Sequence, residues 1–260
     1  MPAWRCPHCG EVLAPDASGY ACLNGHRFDR AREGYVNLLP SHHRRSGKAG
    51  DDGAMVAARR TFLDAGHYAP LLSEAADLLG APTSLLDVGC GEGSFTAALP
   101  GAKRHGVDIS KPAVRAAAKR HRDLRFAVAN ATRLPYADAS FEVVSVFFAP
   151  FFPECVRVLE AEGRLLRVAP AAEHLRELRA RVFADARPHR RATLSLEGLR
   201  VVGEHRVSFD MHLDANARDA LVAMTPMEHR STPAARAALE ADRAPMTVRA
   251  AFDLDLFERA

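Results

Sequence analysis

The segment that most constrains the fold is an apolar run followed by a glycine-rich turn and the start of a helix. It reads Leu85-Leu86-Asp87-Val88-Gly89-Cys90-Gly91-Glu92-Gly93-Ser94-Phe95. Glycines let the backbone turn sharply and approach a bound molecule closely. The dinucleotide fingerprint G-x-G-x-x-G would need glycine at position 94, where the chain has serine. The segment therefore predicts a strand–turn–helix unit for a ligand other than a dinucleotide.

Short apolar runs alternate with helical patterns along the rest of the chain. Predicted strands cover 85–88, 106–109, 124–129, 141–148, 165–168, 199–209 and 248–257. Predicted helices cover 94–99, 110–120, 173–184 and 215–224, with two more between 54 and 79 that break near Gly66. Buried strands that alternate with helices predict an α/β fold, a doubly wound and mostly parallel sheet covered on both faces. The last strand is expected to be antiparallel.

The acidic-x-G-x-G-x-G spacing that begins at Asp87 resembles the first motif of class I S-adenosylmethionine-dependent methyltransferases, which have a Rossmann-like fold. Asp87 would face the cofactor's ammonium, directly or through water. Asp108 ends the next strand, fifteen residues beyond Gly93, where an acidic residue can accept both ribose hydroxyls. Asn130 follows the third strand and is placed to touch the adenine edge. No neighbour marks Cys90 as a nucleophile, so we interpret it as a packing residue.

Three of the five cysteines lie within the first 22 residues. Cys6, Cys9, Cys22 and His26 have the spacing C-x2-C-x12-C-x3-H, which is typical of a closed structural zinc site. His8, inside the first pair, remains an alternative ligand. A segment of about 40 residues buries too little apolar surface to fold alone, so zinc binding would supply its folding energy. An odd cysteine count argues against a disulfide framework.

Composition narrows the class of protein without choosing a partner. The formal net charge is +3, and all but four of the 35 basic residues are Arg. That bias is explained either by a GC-rich genome or by phosphate and base contacts, for which Arg is well suited. No apolar run approaches the ~18 residues of a membrane helix, and the N-terminus begins no secretory signal. We therefore expect a cytoplasmic protein without a membrane partner.

Several further strings have no generic physical meaning that would make them recur by chance. They are Phe28-Asp29, Glu33-Gly34-Tyr35-Val36-Asn37-Leu38-Leu39-Pro40, Met55 to Arg60, Phe62-Leu63-Asp64-Ala65-Gly66-His67-Tyr68, Ala149-Pro150, His174-Leu175 and Met224-Thr225-Pro226. Together with the zinc quartet and the glycine loop, they resemble the 23S rRNA (guanine-N1)-methyltransferases over nearly the whole chain. The resemblance departs at Glu160–Gly163, where the family usually has Pro-Gly-Gly, and in a short stretch after Phe95.

The resemblance implies a small N-terminal zinc-binding domain on a class I methyltransferase domain, often dimeric, that acts on a hairpin of 23S rRNA. It implies cofactor contacts from Tyr68, the Gly91–Phe95 turn, Asp108 and His174. Tyr68 is otherwise a core tyrosine, and His174 is otherwise an exposed helix residue. The full predicted cofactor set is Tyr68, Asp87, Gly89, Gly91, Glu92, Gly93, Ser94, Phe95, Asp108, Asn130 and His174.

Methylation at guanine N1 requires that the N1 proton leave before or during attack, which calls for a base or for groups that stabilise the guanine anion. The target base would be single-stranded or flipped out. The predicted fourth strand lacks the Asn-Pro-Pro-Tyr-like motif of exocyclic-amine methyltransferases, which argues against adenine N6 and cytosine N4. Four phenylalanines there either stack a base or belong to the core: Phe147, Phe148, Phe151 and Phe152. The sequence does not identify the general base.

Candidate RNA contacts are basic stretches that are otherwise solvated surface: His42, His43, Arg44, Arg45 and Lys48, then Arg59 and Arg60, then Arg187, Arg190 and Arg191. We expect a zinc-binding RNA-recognition domain at 1–40, a basic linker with helices at 41–80 and a methyltransferase domain at 81–260. Two other functions stay open. One is a zinc-capped methyltransferase for a small molecule or protein, and the other is a non-catalytic zinc and RNA-binding protein that senses S-adenosylmethionine.

Overall fold

The computed structural model describes residues 2–40, 51–150, 153–183, 188–189 and 197–260. Its strands are β1 (Ala14–Pro15), β2 (Gly19–Ala21), β3 (Arg27–Asp29), β4 (Val36–Asn37), β5 (Ser84–Val88), β6 (Lys103–Asp108), β7 (Arg125–Val128), β8 (Phe141–Phe147), β9 (Leu159–Pro170), β10 (Leu199–Leu213) and β11 (Met246–Arg259). Its helices are α1 (Gly53–Asp64), α2 (Ala69–Leu79), α3 (Ser94–Ala98), α4 (Lys111–Arg120), α5 (Glu154–Arg157), α6 (Arg176–Val182), α7 (Ala215–Ala223), α8 (Met227–Arg230) and α9 (Pro233–Ala241).

Within the described residues the main sheet has eight strands in the order β10-β11-β9-β8-β5-β6-β7-β4. Its strands run parallel from β9 to β4, while β11 is antiparallel to both β9 and β10. The chain moves from β5 outward through β6 and β7, and then returns to β5's other side with β8. This reversal makes a crevice at the carboxyl ends of β5, β6 and β8, where open α/β sheets bind ligands.

Successive residues of β5 supply the cores on the two faces of the sheet. Leu85 packs in one apolar cluster with Phe62, Leu71 and Phe252, and Leu86 packs in another with Trp4. Adjacent residues on a strand point to opposite faces, so both faces are covered. The predicted doubly wound, mostly parallel α/β sheet is confirmed, with the expected antiparallel last strand.

The N-terminal region forms its own antiparallel sheet of β1, β2 and β3 and then joins the main sheet. Val36 and Asn37 of β4 pair in parallel with Ala127 and Val128 of β7. The Leu38 N–H then donates to the Val128 carbonyl at 2.9 Å. The backbone of the N-terminal region is therefore continuous with the sheet that carries the crevice.

Some elements differ from the sequence prediction. Strand β9 extends over Leu159–Pro170 rather than 165–168, because its first residues alternate with exposed glutamates that hide its apolar pattern. Helix α6 begins at Arg176 rather than 173, because Leu175 has a φ of 55° and breaks the helical backbone before it. The end predicted at residue 184 lies outside the described residues. No described helix is long and apolar enough to cross a membrane.

Candidate functional site

The first candidate site is the cluster of three cysteines and one histidine in the N-terminal sheet. The Sγ atoms of Cys6, Cys9 and Cys22 lie 3.6, 3.5 and 3.4 Å from Nδ1 of His26. The Cys9 and Cys22 Sγ atoms are 3.7 Å apart. A zinc tetrahedron with ordinary bond lengths has edges of about 3.8 Å between two sulfurs and about 3.6 Å between sulfur and nitrogen. The donor set and its spacing therefore fit zinc.

Two glycine turns hold these ligands in place. The Gly10 N–H donates to the Cys6 carbonyl at 2.8 Å, and the Gly25 N–H donates to the Cys22 carbonyl at 3.0 Å. Both glycines have positive φ, 76° and 80°, which glycine adopts without a steric penalty. The hydrogen bond from the Glu11 backbone lowers the pKa of the Cys9 thiol to about 6. The turn that carries Cys6 and Cys9 therefore favours the thiolate form of Cys9, which is the form that binds a metal.

Strands β1 to β3 and the cysteine–histidine cluster that they carry form the zinc-cluster region. This region packs on the main sheet through Trp4. The Trp4 indole N–H donates to the Tyr136 hydroxyl at 3.0 Å, and His105 Nδ1 lies 3.1 Å from the same hydroxyl. The Arg125 guanidinium carbon lies 4.5 Å from the centre of the Trp4 ring. His105 belongs to β6, and burial lowers its pKa to about 3, so it is neutral in this contact. The two regions therefore share a buried polar contact.

The second candidate site is the crevice formed by the glycine loop after β5. Gly89, Gly91 and Gly93 have φ values of 80°, 55° and 87°, all in the left-handed region. A Cβ on Gly93 would lie 2.8 Å from the Ala117 Cβ, so this glycine also permits α4 to pack against the loop. A Cβ on Gly91 would lie 3.2 Å from the Arg59 guanidinium. The spacing of the glycines thus serves both turn geometry and close packing.

Asp108 ends β6 and fastens the glycine loop to the next turn. Its Oδ2 accepts the Gly91 N–H at 2.9 Å, and its Oδ1 accepts the Ser110 N–H at 2.7 Å. Burial raises the pKa of this carboxyl, while the two backbone donors act in the opposite direction. Asp108 is therefore a fixed hydrogen-bond acceptor at the crevice, as the ribose role requires.

Asp87 lies behind the glycine loop rather than in the crevice, and its side chain is only 1% exposed. The Thr96 hydroxyl donates to its Oδ2 at 2.6 Å, and the Ser145 hydroxyl donates to its Oδ1 at 3.1 Å. Burial raises the pKa of Asp87 to about 6. The carboxyl ties α3 and β8 to β5, and its predicted action on the cofactor's ammonium stays a prediction.

The crevice contains two adjoining cavities. The first, of about 380 Å³, is lined by six of the predicted cofactor residues: Gly89, Gly91, Glu92, Phe95, Asp108 and Asn130. The second, of about 400 Å³, is lined by Tyr68, Phe95 and His174. Neither is lined by Asp87, Gly93 or Ser94. The structure thus brings most of the predicted residues to one crevice and leaves these three outside the walls of its cavities.

Tyr68 and His174 are both buried in the second cavity's wall, at 4% and 6% exposure. Burial raises the pKa of the Tyr68 phenol, so it stays protonated. His174 Nδ1 accepts the Ala251 N–H at 3.2 Å, and burial lowers the histidine's pKa to about 3. The neutral ring with Nδ1 as acceptor carries its proton on Nε2. Both side chains are therefore hydrogen-bond donors rather than cations or anions.

Within the loop itself, Glu92 and Ser94 bond to each other. The Ser94 N–H donates to Glu92 Oε1 at 3.2 Å. Glu92 Oε2 is buried and meets no donor among the described residues. A buried oxygen without a partner is a position that a ligand or water can satisfy. This orphaned acceptor at the first cavity agrees with a cofactor that carries hydroxyl and amino groups.

Sequence reasoning missed Asp51 and placed Arg59 among the RNA contacts. Both line both cavities. They form an ion pair, and Arg59 Nη2 donates to the Met224 carbonyl at 3.1 Å. The string Met55 to Arg60, part of the family resemblance, was the signal that could have placed Arg59 at the cofactor site. Its two arginines were instead interpreted as a basic patch for RNA. The folded position of α1 brings Arg59 over the glycine loop instead.

The phenylalanines after β8 separate into core and cavity. Phe147 is 4% exposed, whereas Phe148 is 40% exposed and lines both cavities. Phe148 has a φ of 55°, a strained conformation for an aromatic residue. Phe151 and Phe152 lie outside the described residues, as do the basic residues His42, His43, Arg44, Arg45, Lys48, Arg187, Arg190 and Arg191. Phe148 is thus the described aromatic best placed to meet a base.

Comparison with known proteins agrees with both sites. The family model for the RlmA N-terminal zinc ribbon matches residues 4–47, and the methyltransferase domain model matches residues 86–167. The 23S rRNA (guanine(748)-N(1))-methyltransferase of Streptomyces fradiae is 38% identical over 245 residues, which cover 88% of this chain and 86% of that protein.

Two further relatives carry the same type of name. The putative 23S rRNA (guanine-N(1)-)-methyltransferase of Micromonospora griseorubida is 42% identical over 206 residues, 68% of this chain and 69% of that protein. The putative enzyme YxjB of Bacillus subtilis (strain 168) is 34% identical over 246 residues, 86% of each chain. The matched domains and the cysteine–histidine cluster confirm that the protein is a methyltransferase that uses S-adenosylmethionine and holds zinc. The chain belongs to the family of 23S rRNA (guanine-N1)-methyltransferases.

Proposed function

We propose that this protein transfers the methyl group of S-adenosylmethionine to N1 of a guanine in a hairpin of 23S rRNA. The observation that carries the proposal is the pairing of a Cys3His cluster with a class I cofactor crevice in one chain, shared with relatives named for this reaction. The cytoplasm, where rRNA is available, is the proposed location, and a homodimer is the proposed assembly. The division at 1–40, 41–80 and 81–260 remains our proposed domain organisation.

We assign zinc to Cys6, Cys9, Cys22 and His26. Their three thiolates and one imidazole would hold the ion with four protein ligands, which would leave no position for substrate. The zinc therefore supplies folding energy to a surface that contacts RNA, and takes no part in methyl transfer.

We assign the cofactor to the two adjoining cavities. Asp108 would accept the ribose hydroxyls, Asn130 would contact adenine, and the Gly89–Phe95 loop would face the body of the cofactor. Tyr68 and His174, as neutral donors in the second cavity, would bond the methionine end. When bound, the cofactor supplies a methyl carbon on a sulfonium, so the protein's main task is to align that carbon with the guanine.

Phe148 would stack on the flipped guanine. It is exposed, lines both cavities and has ring neighbours in Phe95 and Phe252, at centroid distances of 5.8 and 5.5 Å. Stacking on an aromatic side chain is the usual way that proteins hold an unpaired RNA base. A base in this place would lie where the two cavities meet.

The test is methylation of deproteinised 23S rRNA by the full-length protein with methyl-labelled S-adenosylmethionine, followed by nucleoside analysis. The expected product is 1-methylguanosine. Label in another nucleoside, in a small molecule or in protein would contradict the proposal, as would no incorporation at saturating cofactor. Added salt should weaken RNA binding steeply, because phosphate contacts release counterions.

A further inference from the structure

The reaction needs an acceptor for the guanine N1 proton, and the second cavity offers one carboxylate among its described lining residues. That carboxylate is Asp51. It also lines the first cavity, so it stands where the two cavities meet. Its side chain is 20% exposed, so it is accessible both to a ligand and to water.

Asp51 is held by two elements of the fold. The Ser110 hydroxyl, at the start of α4, donates to the Asp51 backbone carbonyl at 2.6 Å. Arg59 on α1 pairs with the Asp51 carboxylate and also bonds the Met224 carbonyl after α7. The Asp51 backbone is therefore held at the start of α4, and its carboxylate is held by an arginine that is itself anchored. A positioned carboxylate of this kind suits proton transfer better than a mobile surface group.

Three other ionisable groups nearby do not fit the task. Both oxygens of Asp108 accept backbone N–H groups from the adjacent loops. His174 uses Nδ1 to accept the Ala251 N–H, so the nitrogen left for the cavity is a donor. The Tyr68 phenol stays protonated because burial raises its pKa. His189 lines the same cavity, but burial lowers its pKa and makes it a weaker base than an ordinary imidazole. By this comparison Asp51 is the carboxylate acceptor that the second cavity provides.

We propose that Asp51 is the general base for methylation at guanine N1 and that Arg59 is its positioning residue. The inference rests on the proposed function. The Asp51 carboxylate takes the N1 proton, and the electron pair left on N1 forms the new bond to the methyl carbon. The carbon–sulfur bond breaks with its electrons going to sulfur, which leaves neutral S-adenosylhomocysteine and 1-methylguanine. The protonated Asp51 then returns its proton to water.

The same pair would also select guanine. A carboxylate accepts hydrogen bonds from the guanine N1–H and the exocyclic amine, and a guanidinium donates to O6. Adenine presents an unprotonated N1 and a donor amine at the corresponding positions, so it matches neither group. A site with buried polar partners rejects a base that leaves them unpaired. Base choice and proton removal would thus depend on one ion pair.

The test is Asp51→Asn, measured in single-turnover methyl transfer from pH 6 to 9.5, with Asp52→Asn as the matched control. Asp52 caps α1 and lines neither of the two cavities, and Asn caps a helix as well as Asp. Asp51→Asn should slow transfer at pH 7 by roughly 10²–10⁴-fold. Its rate should rise with pH as guanine ionises in solution, with a steeper dependence than the wild-type rate. Asp52→Asn should follow the wild type.

Calorimetry with S-adenosylhomocysteine and RNA filter binding separate a base from a structural residue. We expect Asp51→Asn to bind both within about threefold of wild type. Charged or titratable groups that face the crevice beside Asp51 are Arg59 and Asp108, and further along the walls Tyr68, Cys90, Glu92, His174, Arg179, His189 and Arg230. These residues are kept in the variant, and the pKa of Asp108 is raised by burial and also by the Asp51 charge. A rate that rises more steeply with pH than that of wild type is therefore the expected mark of the missing base.

Two results would overturn the assignment. One is Asp51→Asn with a transfer rate within fivefold of wild type at pH 7. The other is a rate loss matched by an equal loss of cofactor affinity with an unchanged pH profile, which would make Asp51 a cofactor-holding residue. Wild-type protein that forms no 1-methylguanosine would instead reject the proposed function, and the assignment with it.

Discussion

The zinc-cluster region and the cofactor crevice are built in opposite ways. Around the cysteines the strands are two or three residues long, and four side chains converge on one point. At the crevice the strands are longer, and the loop is fixed by positive-φ glycines and by Asp108 bonded to backbone N–H groups. The first region needs an ion to hold its shape. The second is preorganised by the protein chain alone.

Loss of zinc is the largest test of this contrast. Cys22→Ser should remove bound zinc and unfold the cluster, because structural zinc in such modules contributes about 10–16 kcal/mol of apparent binding energy. Trp4 is the single tryptophan of the chain, so its fluorescence reports on this region. We expect a red shift of Trp4 emission, with S-adenosylhomocysteine affinity reduced less than tenfold. Cys90→Ala, which changes a buried cysteine outside the cluster, should keep the metal.

An unchanged Trp4 spectrum after complete zinc loss would contradict the view that the ion holds the module together. If Cys22→Ser lost cofactor binding together with the burial of Trp4, the two regions would instead fold as one unit.

Removal of Asp108 tests the preorganised region. Asp108→Ala deletes the acceptor of the Gly91 and Ser110 N–H groups and the proposed ribose ligand. We expect cofactor affinity to fall at least a hundredfold by calorimetry, consistent with the loss of a charged partner for several donors. Asp123→Ala, at an exposed carboxylate, is the control. Affinity that stays within a few-fold of wild type would show that the ribose assignment is wrong.

The zinc quartet and the first cavity could be predicted from the sequence, because their informative residues are close together in the chain. The zinc quartet spans Cys6 to His26, and the glycine loop precedes Asp108 by fifteen residues, so spacing alone sets their geometry. The second cavity could not be predicted this way. Its walls come from segments that lie far apart in sequence, so no local pattern marks Asp51 as a wall residue.

Asp87 shows a second limit of sequence reasoning. The motif predicts that it acts on the cofactor's ammonium, directly or through water, and does not reveal that hydroxyls from Thr96 and Ser145 bond its carboxyl inside the protein. Ser145 is 58 residues away in sequence, on β8, and only the pairing of β8 with β5 brings it within reach. The direction of the Asp87 side chain therefore depends on tertiary contacts that the motif does not encode.

Asp87→Asn gives a smaller effect with a defined pH dependence. The folded-state pKa of Asp87 is raised from 3.8 to about 6, mainly by burial. The contribution of Asp87 to the free energy of unfolding is therefore fully favourable below pH 3.8, its unfolded-state pKa, and is lost as the pH rises through about 6. At pH 8 the buried charge costs roughly 1–3 kcal/mol, so the variant should melt at a higher temperature than wild type there. At pH 3.5, below the unfolded-state pKa of 3.8, the two melting temperatures should nearly coincide.

The exposed carboxylate of Asp77 offers the control, and Asp77→Asn should leave the melting temperature unchanged at both values of pH. A gain in melting temperature of Asp87→Asn over wild type that is larger at pH 3.5 than at pH 8 would have the wrong sign for a carboxyl with a raised pKa. Cofactor affinity of Asp87→Asn should fall, since the negative charge behind the loop favours a cationic ligand.

The smallest expected effect is at the contact between the two regions. Tyr136→Phe removes the hydroxyl that the Trp4 indole N–H and His105 Nδ1 share. Buried donors without a partner cost about 1–3 kcal/mol, and the variant should unfold at correspondingly lower urea concentration. Zinc content should not change. A variant as stable as wild type would show that the regions are held together by apolar packing and β4 alone.

The pairing of β4 with β7 sets a condition on any attempt to divide this protein. A fragment that starts after residue 40 would lack Val36 and Asn37 and would leave the Ala127–Val128 side of β7 with unpaired backbone groups. An open sheet edge is a template for pairing with another chain. Isolated methyltransferase fragments cut at that point should therefore self-associate, whereas fragments that keep the short strand should stay dispersed.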